Sequence, residues 1–174
     1  QESVHDEVIR KLKNRMDSLI VGNPLDKNTD IGAINSAGQL KTIKQYIEIG
    51  KKEGAKVITG GERADLGGEL SGGYYVMPTI FEGNNKMRIF QEEIFGPSSL
   101  VIWCADQREI DAVLGALQGN LTATVHGADA ELGQHAALIA RLEAVAGRVV
   151  INGFPTGVEV SHTIVHGGPY PSLS

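Results

Sequence analysis

Residues 98 to 153 carry the pattern that most restricts the fold. Three short apolar segments, "SSLVIWCA", "LTATVHG" and "RVVING", alternate with two stretches of helical periodicity, Asp106 to Leu117 and Ala130 to Ala146. Strands joined in this way pair in parallel, since a parallel neighbour needs a crossover of about a dozen residues, and such crossovers run right-handed. The pattern predicts an α/β chain with a mostly parallel sheet, in which "SSLVIWCA" is a buried strand and Gly147 caps the second helix. After Gly153 the periodicity stops, and "FPTGVEVSHTIVHGGPYPSLS" reads as a long loop. Irregular segments at the carboxyl ends of parallel strands are where such sheets build ligand sites.

The first half alternates less regularly. Val4, Val8, Ile9, Leu12, Met16, Leu19 and Ile20 form one stripe of an amphipathic helix over 3 to 20, with Ser3 as N-cap and Asp6 and Glu7 favouring the positive helix start. "VGNPLDKNTDIGA" is a loop, and Ser36 opens a second helix ending at Gly54. "AKVITGG" reads as a short strand closed by a glycine pair, residues 60 to 73 as an exposed connection, and "YYVMPTIF" (74 to 81) as a strand whose Pro78 marks an edge or an end.

At 174 residues, 41% of them hydrophobic, the chain is long enough to bury a sizeable core and is expected to fold as one unit. A net charge of -5 with scattered basic residues argues against nucleic acid as a partner. No apolar run approaches the roughly 20 residues that cross a bilayer, and "QESVHDEVIR" is too polar for a signal peptide. A soluble, cytoplasmic chain without a membrane partner is expected. The single cysteine permits no internal disulfide, which fits a reducing compartment.

Several chemistries can be weighed on residue types alone. Cys104 invites a nucleophile reading, but between Trp103 and Ala105 in an apolar strand it reads as a desolvated, inert thiol. Glu92 and Glu93 could form an acid/base pair or simply face solvent, since adjacent helical side chains diverge by about 100°. The histidines His5, His126, His135, His162 and His166 show no metal-ligand spacing, so no metal site is expected. Neither a Gly-x-Gly-x-x-Gly nor a Gly-Lys-Ser/Thr phosphate loop occurs. Phe95, just before a Gly-Pro turn, is expected to pack against the sheet.

"VGNPLDKNTDIGA", "EGAKVITGG", "YYVMPTIF" and above all "QEEIFGPSSLVI" resemble, in order and spacing, the catalytic domain of the aldehyde dehydrogenase superfamily. Together they cover most of residues 1 to 104, and EEIFGP is highly specific. From Glu92 onward, "EEIFGPSSLVIWCAD", "LTATVHGADAEL" and "GRVVINGFPTGVEVSHTIVHGGPYPS" resemble the branch of 2-oxoglutarate semialdehyde (2,5-dioxovalerate) dehydrogenases more closely. The shared EEIFGP is a natural crossover for a chimera.

The resemblance implies a three-layer α/β sandwich and an NAD- or NADP-dependent oxidation of aldehyde to carboxylate. In that family a cysteine thiolate attacks the aldehyde, hydride passes to the cofactor, and a glutamate activates water to release the acid. It implies that Glu93 contacts the nicotinamide ribose and that Phe95 holds the nicotinamide end of the cofactor. Asn152, Phe154, Pro155 and Thr156 would border the aldehyde pocket. The family's nucleophile loop lies upstream of the helix matched here by residues 3 to 20. The expectation is therefore a partial catalytic domain over 1 to 174, without the nucleophile loop, the cofactor domain, the general-base glutamate or the final strand. No catalytic residue is assigned, and alone the chain is expected to bind no cofactor, to turn over no aldehyde and to fold as a non-catalytic domain; the alternative is a scaffold that self-associates as a homo-oligomer through uncovered apolar surface. The chain would act as a dehydrogenase only with a complementary chain.

Overall fold

A computed structural model describes residues 2–155. The chain divides into two compact units, Gln1–Ala105 and Asp106–Ser174.

In the first unit, α1 (Glu2–Asp17) stops earlier than its apolar stripe suggests, and Ser3 lies inside it rather than at its cap. Leu19 and Ile20 leave the helix because the following loop folds back on them: Ile20 N donates to Asp30 Oδ2 at 2.9 Å and Gly22 N to Ile31 O at 2.9 Å. No α1 residue is buried, and Val4, Val8 and Leu12 stay exposed.

Helix α2 (Ala37–Lys52) follows the sequence closely. Ser36 caps it by accepting from Gln39 N at 3.1 Å, and Gly54 turns the chain away at φ 86°. Its buried stripe, Leu40, Ile43 and Ile47, packs in the core with Val76, Phe81, Ile89 and Ile94. Burying each such side chain contributes about 1.5–3 kcal/mol, so this helix anchors the unit.

Three strands lie against it in the order β1 (Lys56–Thr59), β2 (Thr79–Gly83), β3 (Ser98–Ile102). The β1–β2 pairing is antiparallel and β2–β3 parallel, with Phe81 opposite Leu100. Strand β2 starts only after Pro78, not at Tyr74, since proline has no N–H for the ladder; Thr79 N then bonds Pro97 O at 2.9 Å. Strand β3 also ends short of the expected "SSLVIWCA". It is half-buried rather than buried, and Cys104 lies beyond it, itself partly buried.

The second unit opens with α3 (Gln107–Ala116), capped by Asp106, whose carboxylate accepts from Glu109 N at 3.0 Å. Strands β4 (Asn120–Val125) and β5 (Ala146–Ile151) pair in parallel. Between them the expected single helix is broken into α4 (Asp129–Leu132), a tight turn over Gly133–His135, and α5 (Ala136–Val145). Glycine at 133, a weak helix former, sits at the break. Gly147 is the second residue of β5 and not a cap, because the chain passes from α5 into the strand without a loop. Arg141 ties α5 to α3 through Asp111, donating to its carboxylate at 2.5 Å and to its carbonyl at 3.0 Å.

The α/β class is as expected, with parallel pairs and intervening helices. The neighbours differ from expectation: β3 pairs with β2, and β4 with β5, in two sheets among the described residues. Periodicity specifies that strands are joined by crossovers but not which strands lie side by side.

Candidate functional site

The turn written EEIFGP follows a tight helical turn at Arg88–Phe90 and leads into β3. Glu92, Glu93, Phe95, Gly96, Ser98 and Leu100 contribute to an open depression of about 510 Å³.

The two glutamates are inequivalent. Arg88 Nε donates to both oxygens of Glu92 at 2.9 Å, and Tyr46 Oη donates to Oε2 at 2.5 Å. The Arg88 guanidinium also stacks over the Tyr46 ring, 5.6 Å from its centroid. The bond from Arg88, then that from Tyr46, holds the Glu92 carboxyl below its ordinary range, and the same carboxylate pushes the Tyr46 hydroxyl up. Glu92 is thus spent on holding the turn. Glu93 is exposed and makes no hydrogen bond or ion pair among the described residues.

Phe95 does not pack against the sheet. Its backbone is left-handed (φ 50°) and its ring 72% exposed, while its neighbour Ile94 fills the core instead. The left-handed backbone swings successive side chains apart, which the motif gives no means of reading. Gln39 Nε2 donates to the carbonyls of Ile94 (3.2 Å) and Phe95 (2.9 Å).

In the second unit, Asn152 is also left-handed (φ 51°). Its side chain donates to Gly127 O and accepts from Gly127 N, both at 2.9 Å, so its amide is occupied by backbone. Phe154 and Pro155 are exposed, and Thr156 lies outside the described residues. Gln39, Tyr46 and Arg88 were not singled out by the sequence. Only Arg88 and Glu92 carry a visible signal, the i,i+4 spacing of an ion pair.

Among the described residues no group of three His, Cys, Asp or Glu side chains is placed to hold a metal, and no helix is long and apolar enough to cross a membrane. Cys104 does not line the depression.

Parallel strands with intervening helices, and a turn that exposes a carboxylate and an aromatic ring, define an α/β protein. The chain belongs to the aldehyde dehydrogenase family, whose sequence model matches residues 1–172. It is 56% identical over 109 residues to an aldehyde dehydrogenase of Paracoccus denitrificans, covering 63% of this chain and 22% of that protein. It is 64% identical over 97 residues to the EPTC-inducible aldehyde dehydrogenase of Rhodococcus erythropolis, covering 56% of this chain and 19% of that one. Among solved structures, betaine aldehyde dehydrogenase of Staphylococcus aureus in complex with NAD+ superposes with a TM-score of 0.81 at 28% identity, over 97% of this chain and 32% of that one. HpcC of Thermus thermophilus gives 0.77 at 36% identity, over 90% and 30%. The chain spans about a fifth of the length of these curated relatives.

Proposed function

We propose that the chain is a cytoplasmic, catalytic-domain portion of an NAD- or NADP-dependent aldehyde dehydrogenase, and that alone it oxidises no aldehyde. The observation that carries this reading is the pairing of an unpartnered Glu93 carboxylate with an exposed Phe95 ring on one open depression. A carboxylate suits ribose hydroxyls and an aromatic face suits a flat nicotinamide, so these residues fit the cofactor's reactive end. When bound, NAD or NADP supplies the hydride acceptor. Glu93 would accept hydrogen bonds from the ribose hydroxyls, Phe95 would exclude water from one face, and Glu92 would keep the turn in place through Arg88 and Tyr46.

The nucleophile is a separate requirement. Cys104, the only cysteine, lies past β3 and away from the depression's lining, so it does not supply a thiolate there. Phe154, Pro155 and Thr156 are assigned to the aldehyde side, with Asn152 shaping the turn before them. The wording of residues 92 to 174 supports a semialdehyde substrate of the 2-oxoglutarate type. The test is NADH or NADPH formation, followed by its near-ultraviolet absorbance, with the chain alone and with simple and dicarboxylic semialdehydes. Turnover above a heat-killed control that is lost in Cys104→Ser would overturn the proposal.

A self-associating scaffold is the second reading, favoured by the exposed Val4, Val8 and Leu12 along α1. Size-exclusion chromatography separates the two, because a monomeric peak at micromolar concentration removes the scaffold reading.

A further inference from the structure

We propose that Gln39 is a positioning residue: its side-chain amide holds Phe95 in the left-handed conformation from which Glu93 and Phe95 line the depression. One amide nitrogen reaches the carbonyls of two successive residues, Ile94 at 3.2 Å and Phe95 at 2.9 Å. Consecutive carbonyls converge on one donor where the backbone between them curls, and Phe95 at φ 50° curls it in the left-handed sense. A bulky residue visits that region rarely, so the conformation needs an outside partner.

The donor is itself fixed. Gln39 N bonds Ser36 Oγ at 3.1 Å, which sets the residue in the first turn of α2. One turn further on, Ile43 lies so close to Gly96 that a Cβ there would come within 2.7 Å of Ile43 Cδ1. Tyr46, on the same face, takes Glu92. Residues 39, 43 and 46 thus seat different parts of one turn, at the spacing that brings helical side chains into line. Of these, only Gln39 contacts the backbone on either side of the left-handed linkage.

The inference rests on the cofactor reading only for what the turn presents, and its test uses no cofactor. Magnetic resonance of the 174-residue chain reads the backbone directly, because a left-handed residue brings its own amide and Cα protons close and gives a strong intraresidue cross-peak. Gln39→Ala places a strong helix former in α2, and Gln39→Glu keeps the length but exchanges the donor for an acceptor. In both variants the Phe95 cross-peak should fall several-fold while the amide of Leu40, bonded to Ser36 O, keeps its wild-type position. Phe95→Asn in the Gln39→Ala background should restore a strong cross-peak at residue 95, since asparagine tolerates this conformation unaided. A weak cross-peak in the wild type, an unchanged one in both Gln39 variants, or no recovery with Phe95→Asn overturns the proposal. Aldehyde turnover by the chain alone would overturn the preceding reading and leave Gln39 untouched, whereas the cross-peak bears on Gln39 alone.

Discussion

The imidazole of His5 lies tilted against the indole of Trp103, with 4.8 Å between ring centroids and 56° between planes. Its Nε2 stands 3.2 Å from Glu82 Oε1 without hydrogen-bond geometry. Because α1 buries no residue, this ring contact and the bond from Thr59 to Asp17 are among the contacts that tie the helix to the rest of the first unit. His5→Ala should cost about 1 kcal/mol, the range for an aromatic pair. It should also shift the emission of Trp103, the sole tryptophan, to longer wavelength. Superimposable emission spectra and urea curves would show that the ring contact is absent in solution.

Phe95 and Ile94 should separate cleanly in a stability measurement. With its ring 72% exposed, Phe95→Ala should cost less than about 1 kcal/mol, whereas Ile94→Ala, in the core, should cost about 2–5 kcal/mol. Glu93→Gln, at an exposed carboxylate without a partner, should also stay below about 1 kcal/mol. Urea melts of the three variants decide this. A costly Phe95→Ala would place the ring in the core after all.

The Glu92 carboxyl is held below its ordinary value of 4.5 by Arg88 and, next, by Tyr46. A depressed folded value means that the group's stabilisation is fully present above the unfolded value and is lost as pH falls through the folded one. Wild type should therefore melt above Glu92→Gln at neutral pH, and the gap should close on acidification below 4.5. Asp17 and Asp106 are likewise held low, but both proteins share them and they cancel in the difference. A gap that stays constant from neutral to acid pH would remove the Arg88–Glu92–Tyr46 cluster from the list of stabilising contacts.

Gly60 should tolerate no side chain. Its φ is 71°, and a Cβ would stand 2.2 Å from the carbonyl oxygen of Pro78, a backbone atom that cannot rotate away. Gly60→Ala should destabilise by about 2 kcal/mol or more, through combined strain and overpacking. Thermal melts beside Gly67→Ala, where the φ is also positive (63°) but nothing lies within 4 Å, isolate the steric part. Equal losses at the two positions would mean that the clash relaxes freely.

What the sequence made legible was local. Ser36 as a cap, the strand at Lys56–Thr59 with its closing glycine pair, and the EEIFGP turn all depend on neighbours within a few residues. The family followed from motifs of the same kind. What could not be read depends on distant partners: β3 lies beside β2 through a register set by Thr79 and Ser98, and Phe95 points outward because an amide 56 residues away holds its carbonyl. The helix expected over Ala130 to Ala146 misled for another reason, since one glycine suffices to break a run whose apolar spacing continues across it.

Asn152 gives the second sheet an end that its backbone ladder does not have. By returning one donor and one acceptor to Gly127, the side chain copies the peptide group of a missing neighbour, so the β4–β5 pairing is prolonged by a rung made from a side chain. Aspartate at that position would lose the donor, and alanine both contacts. The turn by which the chain leaves β5 is consequently held by one side-chain amide.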